Sequence, residues 1–174
     1  MGMDVYGLKP KTKKGEYFRN NVWYWHPLWD YCCSVDSSLI QKVPNAHSND
    51  GDGLDAIESR KLGFLIKATV EDGSAEKYVQ DYYENIQKLE PRACKCTINA
   101  PKDELLTIIL SGLIYSPEGD YPFPNYDTKD PDVDCNLCSG SGKLPNYECN
   151  YHITLSNISE FSEFLIDCGG FQIC

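Results

Sequence analysis

The chain reads as an α+β fold: four or five helices packed on a small, mainly antiparallel sheet, with a zinc-knuckle lobe. Three observations lead there. Apolar residues recur at helical steps of three and four in several separate stretches. Short runs rich in Val, Tyr, Phe and Trp, broken by Gly, stand near both ends. And Cys135-Asn-Leu-Cys138-Ser-Gly-Ser-Gly places two thiols at a spacing that lets both face one metal ion.

The elements follow in order. Residues 3–8 and 16–25 predict short strands or an extended segment. From Pro27 to Val43, Leu28, Cys32, Val35, Leu39 and Val43 make one helical stripe, with Pro27 suited to the first turn and Pro44 as a stop. A second helix, about Leu54 to Thr69, has Leu54, Ile57, the stem of Lys61, Phe64, Leu65 and Ala68 as its expected inner face and Asp52 as its N-cap. A third, Ser74 to Leu89, carries Ala75, Val79, Tyr82, Ile86 and Leu89 and ends at Pro91. Residues 101–115 predict a densely apolar fourth helix, and residues 116–134, with their prolines and carboxylates, a loop. Tyr147, Cys149, Tyr151, Ile153 and Leu155 alternate with polar residues, the period of a half-buried strand. Asn157 and Glu160 form the pattern of a capping box for a last helix with Ile158, Phe161, Leu165 and Cys168 inside. Gly169-Gly170 ends it before a strand, Phe171 to Cys174.

A length of 174 residues fits one domain, 1–174, of a size that buries roughly 70% of the surface its unfolded chain exposes. No apolar run approaches the roughly 18 residues of a membrane span, so no membrane association is expected. The first residues lack a secretion signal, and Tyr6 stands where myristoylation needs Ser or Thr. Nine cysteines, an odd number, then read as reduced thiols and metal ligands in a cytoplasmic protein. Net charge is −10, with acids concentrated in residues 50–58, 71–90 and 118–134. Nucleic acid is a poor candidate partner, because displacing phosphate counterions needs a basic footprint. A protein partner fits the acidic surface better.

Zinc takes four thiolate or imidazole ligands, and Gly140 and Gly142 permit the turn that aims N–H groups at sulfur. Two completions compete beside Cys135 and Cys138. Cys94 and Cys96 give a four-thiolate structural Zn²⁺ site, in a lobe of about residues 91–98 and 133–146. Cys149 and His152 give a local one, but on a regular strand residues three apart point to opposite faces, which favours Cys94 and Cys96. Cys32 and Cys168 lie on helical stripes and read as core.

The second unusual stretch is the acidic turn His47-Ser-Asn-Asp50-Gly-Asp52-Gly-Leu-Asp55. Alternating carboxylates suit a hard cation, though the register departs from a calcium-binding helix-loop-helix, and a helix-capping turn reads it as well. Arg19 and Trp23, in the aromatic segment 17–29, can form a wall for a flat ligand. His47, Asp50, Asp52, Asp55, Arg19 and Trp23 are therefore the candidate ligand-binding residues. Phosphate-loop, serine-hydrolase and zinc-protease signatures are missing from the sequence, and no residue is assigned a catalytic role.

Met1-Gly-Met-Asp-Val-Tyr-Gly7, Glu16-Tyr-Phe-Arg-Asn-Asn-Val22, the acidic turn, the CxxCxGxG unit and Gly169-Gly-Phe-Gln-Ile-Cys174 together resemble a family of uncharacterised small proteins of bacteria and their phages. That resemblance implies a shared zinc knuckle and acidic turn and no activity. CxxCxGxG also resembles the zinc repeat of the J-domain co-chaperones. There it occurs four times and here once in full, and His26-Pro27 is followed by Leu28 rather than Asp, so no chaperone role carries over. The expected function is a small acidic zinc-stabilised binding protein without enzymatic activity, such as a phage or accessory factor acting on a host protein. The alternative is a small-ligand or nucleotide binder, or a metal-dependent hydrolase, that uses residues 47–55.

Overall fold

The computed structural model describes residues 2–97 and 129–174, which confirm the α+β class. In chain order the strands are β1 (Gly2–Gly7), β2 (Tyr17–Asn21), β3 (Gly53–Leu54), β4 (Arg92–Ala93), β5 (Lys143–Leu144) and β6 (Phe171–Ile173). The helices are α1 (Val22–Val35), α2 (Leu39–Lys42), α3 (Ala56–Glu71), α4 (Ser74–Gln87) and α5 (Leu155–Asp167). The chain divides into two compact units, Met1–Lys88 with Glu148–Cys174, and Leu89–Tyr147. The helix expected at 101–115, and the expected loop up to residue 128, lie outside the described residues. Among the described residues no helix is long and apolar enough to cross a membrane.

In the larger unit the sheet runs β2-β1-β6-β3, antiparallel throughout. Strand alternation turns Met3 and Val5 of β1 and Phe171 and Ile173 of β6 inward, onto a core that α5 supplies with Ile158, Phe161, Phe164 and Leu165. Trp25 of α1 is fully buried there, stacked on Trp29 at 5.7 Å and edge-on to Phe161 at 5.6 Å. Its indole N–H donates to the Ala46 carbonyl at 2.8 Å, so the core takes the ring without stranding its polar atom.

Five local expectations are corrected. The first helix begins at Val22, capped by Asn21, whose Oδ1 accepts from the Tyr24 N–H, and Pro27 lies inside it. Pro27 lacks the N–H that would bond the Trp23 carbonyl four residues back, and the His152 N–H bonds that carbonyl instead at 2.9 Å. The helix also stops early, at Val35. The Asp36 carboxylate draws in the Ser38 N–H and hydroxyl, which turns the chain before α2. Ser38 and Lys61 together hold the Asp36 carboxyl down to about 2.

Helix α3 buries a different stripe from the expected one. Ser59, Leu62, Gly63 and Ile66 face inward, leaving Ile57 80% and Phe64 48% exposed. The cause is Gly63: a Cβ there would stand 2.8 Å from Ile166 Cγ1 and 2.9 Å from its backbone nitrogen, so its absence lets α5 approach α3 along that side. Ser59 Oγ closes the same face by accepting the Gly170 N–H at 3.2 Å.

The strand expected over 147–155 is a 3-10 turn, Tyr147–Asn150, followed by an irregular stretch up to Thr154. Its alternating pattern finds no place in the order β2-β1-β6-β3, and its groups bond elsewhere: the Ile153 carbonyl accepts the Tyr83 hydroxyl at 3.0 Å. Thr154, not Asn157, then caps α5, its Oγ1 accepting from the Asn157 N–H.

Candidate metal centre

In the smaller unit β4 and β5 pair antiparallel, with Arg92 opposite Leu144 and Ala93 opposite Lys143. The pairing sets two cysteine-bearing turns side by side. Cys94 follows β4 directly, and its N–H donates to the Gly142 carbonyl at 2.8 Å, just before β5. A 3-10 turn, Lys95–Thr97, curls back so that the Thr97 N–H and hydroxyl both reach the Cys94 carbonyl, at 2.9 and 2.7 Å. That curl brings Cys96 to the same side as Cys94 despite the single-residue spacer. In the second turn the Ser139 N–H bonds the Cys135 carbonyl and the Ser141 N–H the Cys138 carbonyl, at 2.8 and 3.0 Å.

The four sulfurs of Cys94, Cys96, Cys135 and Cys138 lie within 4.8 Å of one another, a set that can hold a metal ion. Cys94 and Cys135 are 3.8 Å apart, Cys96 and Cys138 3.6 Å. A tetrahedron with metal–sulfur bonds of about 2.3 Å, as zinc makes, has an edge of about 3.8 Å. All four are free thiols.

The glycines perform the function their spacing suggests. Gly142 donates its N–H to Cys138 Sγ at 3.3 Å, the kind of outer contact that orients a ligand sulfur. Its φ of 70° is left-handed, and a Cβ would stand 2.7 Å from Pro131 Cγ and 3.0 Å from Thr97 Cγ2. Only glycine fits. At Cys135 the backbone amides of Cys138 and Leu137 favour the thiolate and hold it down to about 7, whereas desolvation pushes Cys96 up to about 12 and raises Cys94. Deprotonation is thus favoured at Cys135 and opposed at Cys94 and Cys96, and a bound cation would offset the charge that these thiols gain.

Cys149 and His152, the rival completion, are not members of this cluster. Cys149 sits in the 3-10 turn and the His152 ring packs on Tyr24 at 5.4 Å. The strand argument against them does not hold, because that segment is not a strand; what unites Cys94 and Cys96 with Cys135 and Cys138 is the β4–β5 pairing.

The acidic turn and aromatic segment are placed as follows. Asp55 Oδ1 accepts the Ile57 and Glu58 N–H groups, both at 2.8 Å, and so caps α3 in place of Asp52. Asp52 accepts the Asn45 N–H at 2.7 Å, and Asp50 the Ser48 hydroxyl at 2.5 Å. The His47 ring packs tilted against His26 at 4.3 Å, with Nε2 3.7 Å from Asp30 Oδ1; burial and then His47 lower the His26 pKa. Trp23 rests edge-on against Tyr151 at 5.0 Å, and Arg19 lies 3.6 Å from Asp4. Arg19 also lines a polar hollow with Asn20, Tyr24, Asn157 and Glu160, which none of the acidic turn's carboxylates lines. Among the described residues no hydrogen bond, ion pair or ring contact joins one of the six directly to another, and Trp23 and His47 are linked only through the rings of Tyr151 and His26. Asp55→Ala is expected to lower stability by about 1 kcal/mol through loss of the cap, read as a shift in the urea midpoint, with Asp50→Ala costing less.

Comparison with family models, curated proteins and solved structures finds no match to this chain.

Proposed function

We propose that Cys94, Cys96, Cys135 and Cys138 bind one structural Zn²⁺, and that the protein is a small acidic zinc-stabilised binding protein of the cytoplasm, without enzymatic activity. The observation that carries the metal reading is the pair of sulfur separations, 3.8 and 3.6 Å, at the edge length of a zinc tetrathiolate. Four protein thiolates close the coordination sphere and leave no position for substrate or water, which separates a structural from a catalytic zinc. Thiolate softness favours zinc over magnesium or calcium.

The binding half rests on the net charge of −10 and on the use of the acidic turn's carboxylates in holding backbone. Reduced thiols support the cytoplasm. The acidic surface and the missing enzyme signatures favour a phage or accessory factor acting on a host protein. The metal is tested by elemental analysis of protein purified without added zinc, followed by exchange into cobalt(II). One zinc per chain, and the intense visible absorption of tetrahedral cobalt thiolate after exchange, are expected. Metal-free protein that takes up neither ion would overturn the reading.

A further inference from the structure

The stripe of α3 that packs outward is the least expected surface of the molecule. Ile57 and Phe64 form, with Ile166, the apolar lining of a groove of about 470 Å³. Every charged residue that lines it is a cation: Lys11, Arg60 and Lys61. In a chain of net charge −10 this is a local reversal of sign. The acids of the neighbouring elements are already engaged. Asp36 pairs with Lys61, Glu58 with Lys42 and Glu163 with Lys14, Asp55 caps α3, and Asp167 accepts the Thr12 hydroxyl. Among the described residues, Lys11 and Arg60 have no carboxylate partner. The Arg60 guanidinium lies 5.5 Å from the Phe64 ring centroid, which holds a positive charge beside an apolar surface.

We propose that this groove docks a protein segment carrying apolar side chains flanked by Asp or Glu. Ile57, Phe64 and Ile166 would take the apolar anchors, and Lys11 and Arg60 the carboxylates. Charge complementarity selects this occupant. Three cations on one groove are too few for nucleic-acid binding, whereas at a protein interface they steer an acidic segment and fix its register. The inference rests on the binding-protein half of the proposed function and not on the metal, so the metal content of the same preparation reports on that other half separately.

The experiment selects a random displayed-peptide library on the immobilised full chain, in parallel on Ile57→Glu/Phe64→Glu. Enriched peptides are then titrated by fluorescence anisotropy against the parent, that variant and Lys11→Glu/Arg60→Glu. The substituted side chains are solvent-exposed, and far-UV circular dichroism with metal analysis checks that each variant keeps its fold. Expected are sequences with Asp or Glu around Leu, Ile or Phe. Binding should be at least about 10-fold weaker to the apolar variant, and about 10-fold weaker to the charge-reversed one at low salt, with that second difference shrinking at high salt. Enrichment no greater than on the apolar variant, or peptides without carboxylates, would overturn the proposal. So would a parent dimer that Phe64→Glu dissolves, because a second copy would then own the groove.

Discussion

Cys138→Ser is expected to reduce bound metal from one equivalent per chain to none and to unfold the unit formed by residues 89–147. Cys138 is buried, receives the Gly142 N–H, and is 3.6 Å from Cys96. A serine hydroxyl cannot supply a thiolate at neutral pH, and three thiolates with an open fourth position hold zinc far more weakly than four. Structural zinc contributes on the order of 10 kcal/mol or more to folding, which matches or exceeds the roughly 5–15 kcal/mol net stability of a typical domain. The only strand pairing among the described residues of this unit is the two-residue β4–β5 ladder, and so short a ladder cannot replace that energy. Cys94→Ser should behave the same way, and a zinc chelator should reproduce both. Because the ligands must be deprotonated, metal is released as pH falls. Cys149→Ser and His152→Ala should keep one equivalent. Elemental analysis with limited proteolysis across residues 89–147 reads the result, and a Cys138→Ser protein with full metal would reject the four-thiolate assignment.

Trp25→Ala is expected to destabilise the larger unit by about 4 kcal/mol or more. The side chain is fully buried among Trp29, Phe161 and the sheet, and truncating a core aromatic to alanine costs about 3–5 kcal/mol in lost transfer energy and cavity. The Ala46 carbonyl would also lose its indole donor, which adds about 1–3 kcal/mol if no water replaces it. Trp23→Ala provides the control: that ring is 42% exposed and makes one edge contact with Tyr151, so the same substitution should cost about 1 kcal/mol or less. Urea unfolding of the two variants separates a packing role from the ligand wall once assigned to the aromatic segment. Equal losses would place Trp23 in the core with Trp25.

The features legible before the structure share one property: they are local. Helices α4 and α5 follow from spacing within a single stretch, and a capping acid for α3 from the acids ahead of an apolar run, although the cap is Asp55 and not the expected Asp52. Cys135 and Cys138 with Gly140 and Gly142 are local as well, because sulfur spacing and left-handed φ lie within one turn. Misreadings arose where a distant residue decided. Pro27 signals a helix start unless the Trp23 carbonyl finds another donor, and the donor is His152, far along the chain. Residues 147–155 have strand alternation, but a strand also needs an edge to pair with.

From the sequence alone came the α+β class, the acidic charge, the knuckle of Cys135 and Cys138 and the nomination of Cys94 and Cys96. Tertiary structure decided which thiols meet and which face of α3 is covered. Sulfurs separated by 41 and 42 residues are gathered by the β4–β5 pairing, whose hydrogen bonds form between chain segments no periodicity connects. On α3 two stripes compete for the core, and the one bearing Ser59 and Gly63 is buried because it lets two backbones approach where larger side chains would hold them apart. That choice turns Ile57 and Phe64 out to solvent and makes the basic groove.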